Sequence, residues 1–199
     1  IERTARTERM EQKTAIVIGA STGIGAATAE ALAQQYKKIA ITSFRHPEKL
    51  KEVQQKILAQ DTDCYAETGD AGDFIFVKQF IEHVTEQFGE KIDLLVNNAG
   101  ISYVGLLTDM DEMDWKRIID TNITSVFNTC RQVVPYMVHA HKGRIINISS
   151  VWGNVGASCE VAYSATKGAV NAFTKALAKE LAPSGIAVNA IAFGAIDTA

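Results

Sequence analysis

Few cysteines, few prolines and no long apolar run mark this chain of 199 residues, which holds three Cys and three Pro. The cysteines stand at 64, 130 and 159, an odd count at wide spacing with no Cys-x-x-Cys. That pattern excludes a disulfide framework and a zinc cluster and predicts a reducing, cytoplasmic setting. No apolar stretch approaches the ~18 residues that cross a bilayer, so no membrane association is expected. A basic excess is also missing. Lys and Arg total 20 against 23 Asp and Glu, a net charge of −3, which argues against a nucleic-acid partner. No low-complexity block, fixed-period repeat or Pro/Gly/Ser linker divides the chain. With 47% hydrophobic and 22% charged residues the composition is that of a globular domain. The N-terminus shows no charged-then-apolar leader. Residues 1–9, IERTARTER, are polar and unpatterned and precede Met10. Residues 1–12 therefore read as a tag or disordered extension, and 13–199 as one domain.

From Lys13 onward, short β-rich apolar runs alternate with helical stretches. Strands are predicted at Thr14–Ile18, Ile39–Phe44, Cys64–Glu67, Leu94–Asn97, Arg144–Ile148 and Ala187–Ile191. Helices are predicted at Ile24–Gln35, Pro47–Gln60, Asp73–Phe88, Asp111–His139 and Val161–Ala182. The strands are short and mostly unalternating, as when helices cover both faces of a sheet. Strand–helix–strand repetition implies parallel pairing and right-handed crossovers. The expected fold is α/β, a single doubly wound (Rossmann) domain with a mainly parallel sheet flanked by helices. A sheet ending soon after Ile191 would leave an apolar edge exposed, which predicts further chain beyond Ala199.

The first strand runs into Gly19-Ala20-Ser21-Thr22-Gly23-Ile24-Gly25 and a helix of small residues. Glycines there permit a tight turn, let backbone N–H groups approach a phosphate and let the helix pack closely on the strand. The helix N-terminus favours an anion at that point. Asn97-Asn98-Ala99-Gly100 follows the fourth strand, and Asp70-Ala71 follows the third. Tyr163 and Lys167 stand four apart on one predicted helix, hence on one face. Ser150 lies just past the fifth strand, and Asn122 inside the long helix. Strand ends and the helices after them converge at the carboxyl edge of a parallel sheet, so these side chains can meet in one cleft. There a carbonyl could be reduced if a hydride reached carbon and a proton reached oxygen. A nearby ammonium lowers a phenol from its usual pKa of about 10, so Lys167 is expected to bring Tyr163 toward a useful acid/base range.

The Gly-x-x-x-Gly-x-Gly turn, Asn-Asn-Ala-Gly and the Asn122, Ser150, Tyr163, Lys167 set resemble the short-chain dehydrogenases/reductases over nearly all of residues 13–198. The resemblance implies catalysis by Asn122, Ser150, Tyr163 and Lys167, with Ser150 on the substrate oxygen and Asn122 holding a water that links Lys167 to solvent. It implies dinucleotide contacts from Gly19, Ser21, Thr22, Gly23, Ile24, Gly25, Asp70, Ala71, Asn98, Ala99, Gly100, Tyr163, Lys167, Gly194, Ile196 and Thr198. The second strand ends in Thr42-Ser43-Phe44-Arg45-His46 with no acid for a 2′-hydroxyl. Arg45 and the hydroxyls could receive a 2′-phosphate, so NADP(H) is preferred and NAD(H) possible, although Thr22 stands where many NADP-preferring relatives carry Arg or Lys. Ile18 replaces a frequent Thr, and Phe193-Gly194 replaces Pro-Gly.

Within that family, Ile146-Asn147-Ile148-Ser149-Ser150 and the helix from 167 to 182 resemble the 3-oxoacyl-[acyl-carrier-protein] reductases of bacterial fatty-acid synthesis. The run Ala157-Ser158-Cys159-Glu160-Val161 is instead similar to that of bacterial relatives that reduce a 5-aminopentanone group on elongation factor P. Other ketone or alcohol substrates stay open. A non-catalytic nucleotide-binding protein on this fold would usually lack the Tyr or Lys. The substrate is expected to be a small-molecule or carrier-protein-bound ketone. Relatives pair the helices at 111–139 and 161–182, implying a homotetramer, and they build a substrate lid and a last strand beyond residue 199. No metal is expected: His139 and His141 do not share a helical face and have no evident partner.

Overall fold

The computed structural model describes residues 13–197. A six-stranded sheet with order β3-β2-β1-β4-β5-β6 forms its middle layer. The strands are β1 (Thr14–Ile18), β2 (Lys38–Ser43), β3 (Asp63–Thr68), β4 (Leu94–Asn97), β5 (Gly143–Ser150) and β6 (Ile186–Phe193). Every neighbouring pair is parallel. The order reverses at β1, between β2 and β4, and a crevice opens there at the carboxyl edge.

The helices are α1 (Gly23–Leu32), α2 (Pro47–Leu58), α3 (Phe74–Phe88), α4 (Glu112–Ile119), α5 (Ser125–His139), α6 (Trp152–Val155) and α7 (Val161–Leu181). Successive β1 residues point to opposite faces. Ala15 and Val17 pack with Leu50, Val53 and Ile57 of α2 and Ala29 of α1. Ile16 and Ile18 pack with Phe80 and Val84 of α3, Val133 of α5 and Val170 of α7. All five β1 residues are buried, so the unalternating apolar run is the signature of a central parallel strand. Asp73 caps α3 by accepting from the Ile75 and Phe76 N–H groups at 2.8 and 3.4 Å. Among the described residues no helix is long and apolar enough to cross a membrane.

The parallel doubly wound sheet agrees with the sequence reading, with three local differences. β5 runs on to Ser150, so that residue ends a strand rather than following it. A short helix, α6, fills the gap after it. The single helix expected over Asp111–His139 is two helices joined by a π-turn at Asp120–Thr124. There polar side chains compete with the regular ladder. Ser125 Oγ donates to the Thr121 carbonyl at 2.6 Å, and the Asn122 amide bonds to a different part of the chain.

Candidate functional site

A cavity of about 710 Å³ runs along the carboxyl edge of the sheet, from the β1–α1 turn to α7. At its first end, the Gly19 backbone lies in the left-handed region, with φ +82°. A Cβ there would stand 2.7 Å from Ala99 Cα. Asn98 Nδ2 donates to the Gly19 carbonyl at 2.6 Å, so the loop after β4 braces the turn after β1. Gly25 does not line the cavity; a Cβ on it would overlap the Gly19 carbonyl oxygen and Asn98 Nδ2. Its smallness therefore sets the approach of α1 to the turn. Thr22 occupies the N-cap of α1 without a side-chain cap, leaving first-turn N–H groups for another acceptor. Ser21, Thr22 and Ile24 line the cavity at this helix start. Such an arrangement suits a phosphate.

Next along the wall, Ser43 Oγ stands 2.8 Å from Ser21 Oγ and 2.6 Å from the Arg45 carbonyl. The Arg45 guanidinium sits 5.9 Å from the ring centre of exposed Phe44. Asp70 and Ala71 line a smaller recess with Ala99, Thr121 and Ser125. Asn128, which the sequence reading missed, holds that corner by donating to the Ala71 and Gly72 carbonyls, both at 3.0 Å. Its only signal was a buried-face position on the helix after Asn122.

At the far end, Ser150, Tyr163 and Lys167 line one wall, facing Gly194 and Ile196. Lys167 is buried; its Nζ donates to the Ile148 carbonyl at 2.8 Å and lies 5.6 Å from the Tyr163 ring centre. Burial lowers its ammonium to about pKa 8. The expected lowering of Tyr163 by Lys167 is not what this geometry produces. Burial holds the phenol above its ordinary value, aided by the Glu160 charge, while a hydrogen bond with Ser150 pulls the other way. Asn122 does not line the cavity. Its Oδ1 accepts from Ile101 N–H at 2.8 Å, and its Nδ2 donates to the Ile101 carbonyl and to Thr166 Oγ1. The π-turn thus clasps the loop of Gly100 to α7. A Cβ on Gly100 would stand 3.3 Å from Lys167 Nζ and 3.5 Å from Asn122 Oδ1, so only glycine leaves the space between those two groups uncrowded. Cavity residues absent from the sequence reading include Ile101, Ser102, Met113, Lys116 and Arg117. Those on α4 had no motif to reveal them. Gly23 adopts a left-handed φ of +55° at the start of α1, outside the lining. Thr198 lies outside the described residues, as do residues 1–12.

An extended dinucleotide fits this cavity on the structure's own terms. One end offers an uncapped helix start beside a glycine that has no room for a Cβ, and the other offers a phenol, a hydroxyl and a buried ammonium. The fold and site together define a Rossmann-type, NAD(P)-dependent oxidoreductase acting on CH–OH or C=O groups. The short chain dehydrogenase profile matches residues 13–199, and the chain belongs to that family. It is 43% identical over 184 residues to the 3-oxoacyl-[acyl-carrier-protein] reductase FabG of Staphylococcus aureus strain Mu50, covering 92% of this chain and 74% of the relative. Among solved structures, a variant of actinorhodin polyketide ketoreductase with NADPH superposes with a TM-score of 0.89 at 32% identity, over 95% of this chain and 72% of that one. NAD+-bound xylitol dehydrogenase superposes with a TM-score of 0.88 at 32% identity, over 94% and 71%.

Proposed function

We propose that the chain reduces a ketone to an alcohol with NADPH, its substrate being the 3-oxoacyl thioester of an acyl carrier protein in fatty-acid synthesis. The observation that carries this reading is the shared wall of Ser150, Tyr163 and Lys167 in the same cavity of about 710 Å³ that the β1–α1 turn lines. The 43% identity to a reductase of that name supports the substrate. Support for NADPH comes from the end of β2, where Ser43 and Arg45 line the cavity near Ser21 and residues 42–46 hold no acid. Gly19, Ser21, Thr22 and Ile24 would hold the pyrophosphate, Asp70 and Ala71 the adenine side, and Asn98, Ala99 and Gly100 the ribose side. Gly194, Ile196 and Thr198 would border the nicotinamide, with Gly23 and Gly25 shaping the turn.

The bound reduced dinucleotide supplies a hydride to the carbonyl carbon. Ser150 Oγ donates to the ketone oxygen and fixes it beside the phenol. Tyr163 gives its proton to that oxygen as the C–O double bond becomes an alcohol. Held above its ordinary value by burial, the phenol is in its protonated form at neutral pH, the form that donates, and the Ser150 hydrogen bond opposes that rise. The Lys167 ammonium then returns a proton to the phenolate. Asn122 positions the loop, and a water between Asn122 Oδ1 and Lys167 Nζ connects that ammonium to solvent.

Replacing Tyr163 tests the assignment. Tyr163→Phe is expected to lower NADPH oxidation with acetoacetyl-carrier thioester by about a thousandfold, the scale of a lost general acid, while NADPH binding persists. Full activity in that variant refutes the acid. The run from Ala157 to Val161 favours one second reading, a ketone carried on elongation factor P. A faster rate with ketone-modified elongation factor P than with the thioester selects it. The reading includes a cytoplasmic homotetramer joined along α4–α5 and α7, supported by exposed Trp115 and Phe127. Light scattering at the mass of a monomer refutes the tetramer.

A further inference from the structure

Glu160 stands three residues before Tyr163, at the N-cap of α7, yet its side chain caps nothing. Its half-buried carboxylate reaches instead across to the loop after β4 and accepts from Ser102 Oγ at 2.9 Å. One residue earlier, the Gly105 N–H donates to the Cys159 carbonyl at 2.8 Å. Cys159 adopts a left-handed φ of +61°, a costly turn for a side chain with a Cβ, and so swings Glu160 toward that loop. Two bonds and a strained turn therefore hold one negative charge at a fixed place beside Ser102 and Tyr163, both of which line the cavity. No Lys, Arg or His pairs with this carboxylate among the described residues. Glu160 itself stands behind Ser102 rather than on the cavity wall, and the charged groups that do line the wall lie elsewhere: Arg45 and Asp70 after β2 and β3, Lys116, Arg117 and Asp120 on α4 and the π-turn, and Lys167 near the Tyr163 ring. Arg117 is already paired with Asp114 at 2.9 Å. The charge of Glu160 is felt at the Tyr163 phenol, which it raises.

We propose that Glu160 selects the substrate by charge: the site takes ketones that carry a cationic or neutral group next to the carbonyl and turns away those that carry an anionic one. This rests on the ketone-reductase reading and narrows it. A neutral thioester passes the filter; the free 3-oxo acid does not. A carboxylate fixed by a hydroxyl and unneutralised by a cation repels an anion brought beside it.

Three esters or acids with one ketone core test the filter: acetoacetate, ethyl acetoacetate and acetoacetylcholine. The native enzyme is expected to prefer acetoacetylcholine to acetoacetate in kcat/KM. Glu160→Gln keeps the shape and an acceptor for Ser102 and is expected to lower that preference about tenfold or more. Glu160→Asp, which keeps the charge, is expected to retain it. A preference equal in the native enzyme and Glu160→Gln within twofold overturns the proposal. A second readout needs no turnover: the ring-carbon resonance of labelled Tyr163, assigned with Tyr163→Phe, should titrate at lower pH in Glu160→Gln. If neither the three ketones nor the acetoacetyl-carrier thioester is reduced, the reductase reading fails by itself. The phenol titration then decides the role of Glu160, and an unmoved titration overturns it.

Discussion

The two halves of the sheet bury different chemistry. Around β1 to β3 the buried polar side chains are few, chiefly Thr14, Thr42, Ser43 and Thr62. Around β4 to β6 a line of amides and hydroxyls crosses the interior. Thr129 Oγ1 of α5 donates to Asn97 Oδ1 at 2.7 Å, Asn97 Nδ2 to Asn147 Oδ1 at 2.9 Å, and Asn147 Nδ2 to Thr174 Oγ1 of α7 at 2.8 Å. Asn97 and Asn147 lie in register on adjacent strands. The first half presents backbone N–H groups and closely packed glycines, an arrangement suited to an anion that needs no polar side chain behind it. The second half must orient a phenol, a hydroxyl and an ammonium, and each needs a rigid, fully bonded support. Anion binding can be built from backbone, whereas proton handling requires a side-chain scaffold.

Substitutions in each half sharpen this contrast. The largest effect is expected for Gly25→Ala in the backbone half, where a Cβ overlaps the Gly19 carbonyl. Stability should fall by about 3 kcal/mol in urea unfolding, and NADPH affinity by at least about a hundredfold, since backbone here cannot yield like a side chain. Retained affinity would show that the turn is soft and break the comparison. Asn147→Ala comes next, in the polar half. It strands Asn97 and Thr174 groups in a fully buried place and should cost about 2–3 kcal/mol, again by urea unfolding, with NADPH affinity changed far less than in Gly25→Ala.

Gly100→Ala sits where the halves join. Its Cβ would occupy the position between Lys167 Nζ and Asn122 Oδ1, so the rate of ketone reduction should drop about tenfold while thermal unfolding hardly moves. Equal losses of rate and stability would assign Gly100 to packing alone. The mildest perturbation is pH. With its ammonium lowered from 10.5 to about 8 by burial, Lys167 loses its charge as pH rises through about 8, and the reduction rate should decline there. Its effect on stability has the opposite sense. Between about 8 and 10.5 the unfolded chain binds a proton that the folded chain has released, so this group's contribution to stability rises with pH over that window. A rate profile flat to pH 10 would detach Lys167 from proton transfer.

The strands, their parallel pairing and the glycine turn were legible because each rests on local chemistry. Apolar β-branched runs mark central strands, and Gly19, Gly23 and Gly25 sit between strand and helix as a phosphate turn requires. Tyr163 and Lys167 were legible through their helical spacing. The break at Asp120–Thr124 was not, since the residues from Asp111 to His139 all suit a helix. Only contact with Ile101 and Thr166, distant in sequence, makes the π-turn worthwhile for Asn122. Asn128 escaped for the same reason: its partners are carbonyls of the turn after β3.

By itself the sequence determined the doubly wound class, the place of the glycine turn and which side chains of the cleft carry ionisable groups, because periodicity, turn chemistry and functional groups are properties of short stretches. Only the tertiary structure decided the protonation bias of Tyr163 and Lys167 and the placement of Glu160 against Ser102. Desolvation and Coulomb forces depend on what surrounds a group in space, and burial here is the largest influence on both groups, raising the phenol and lowering the ammonium.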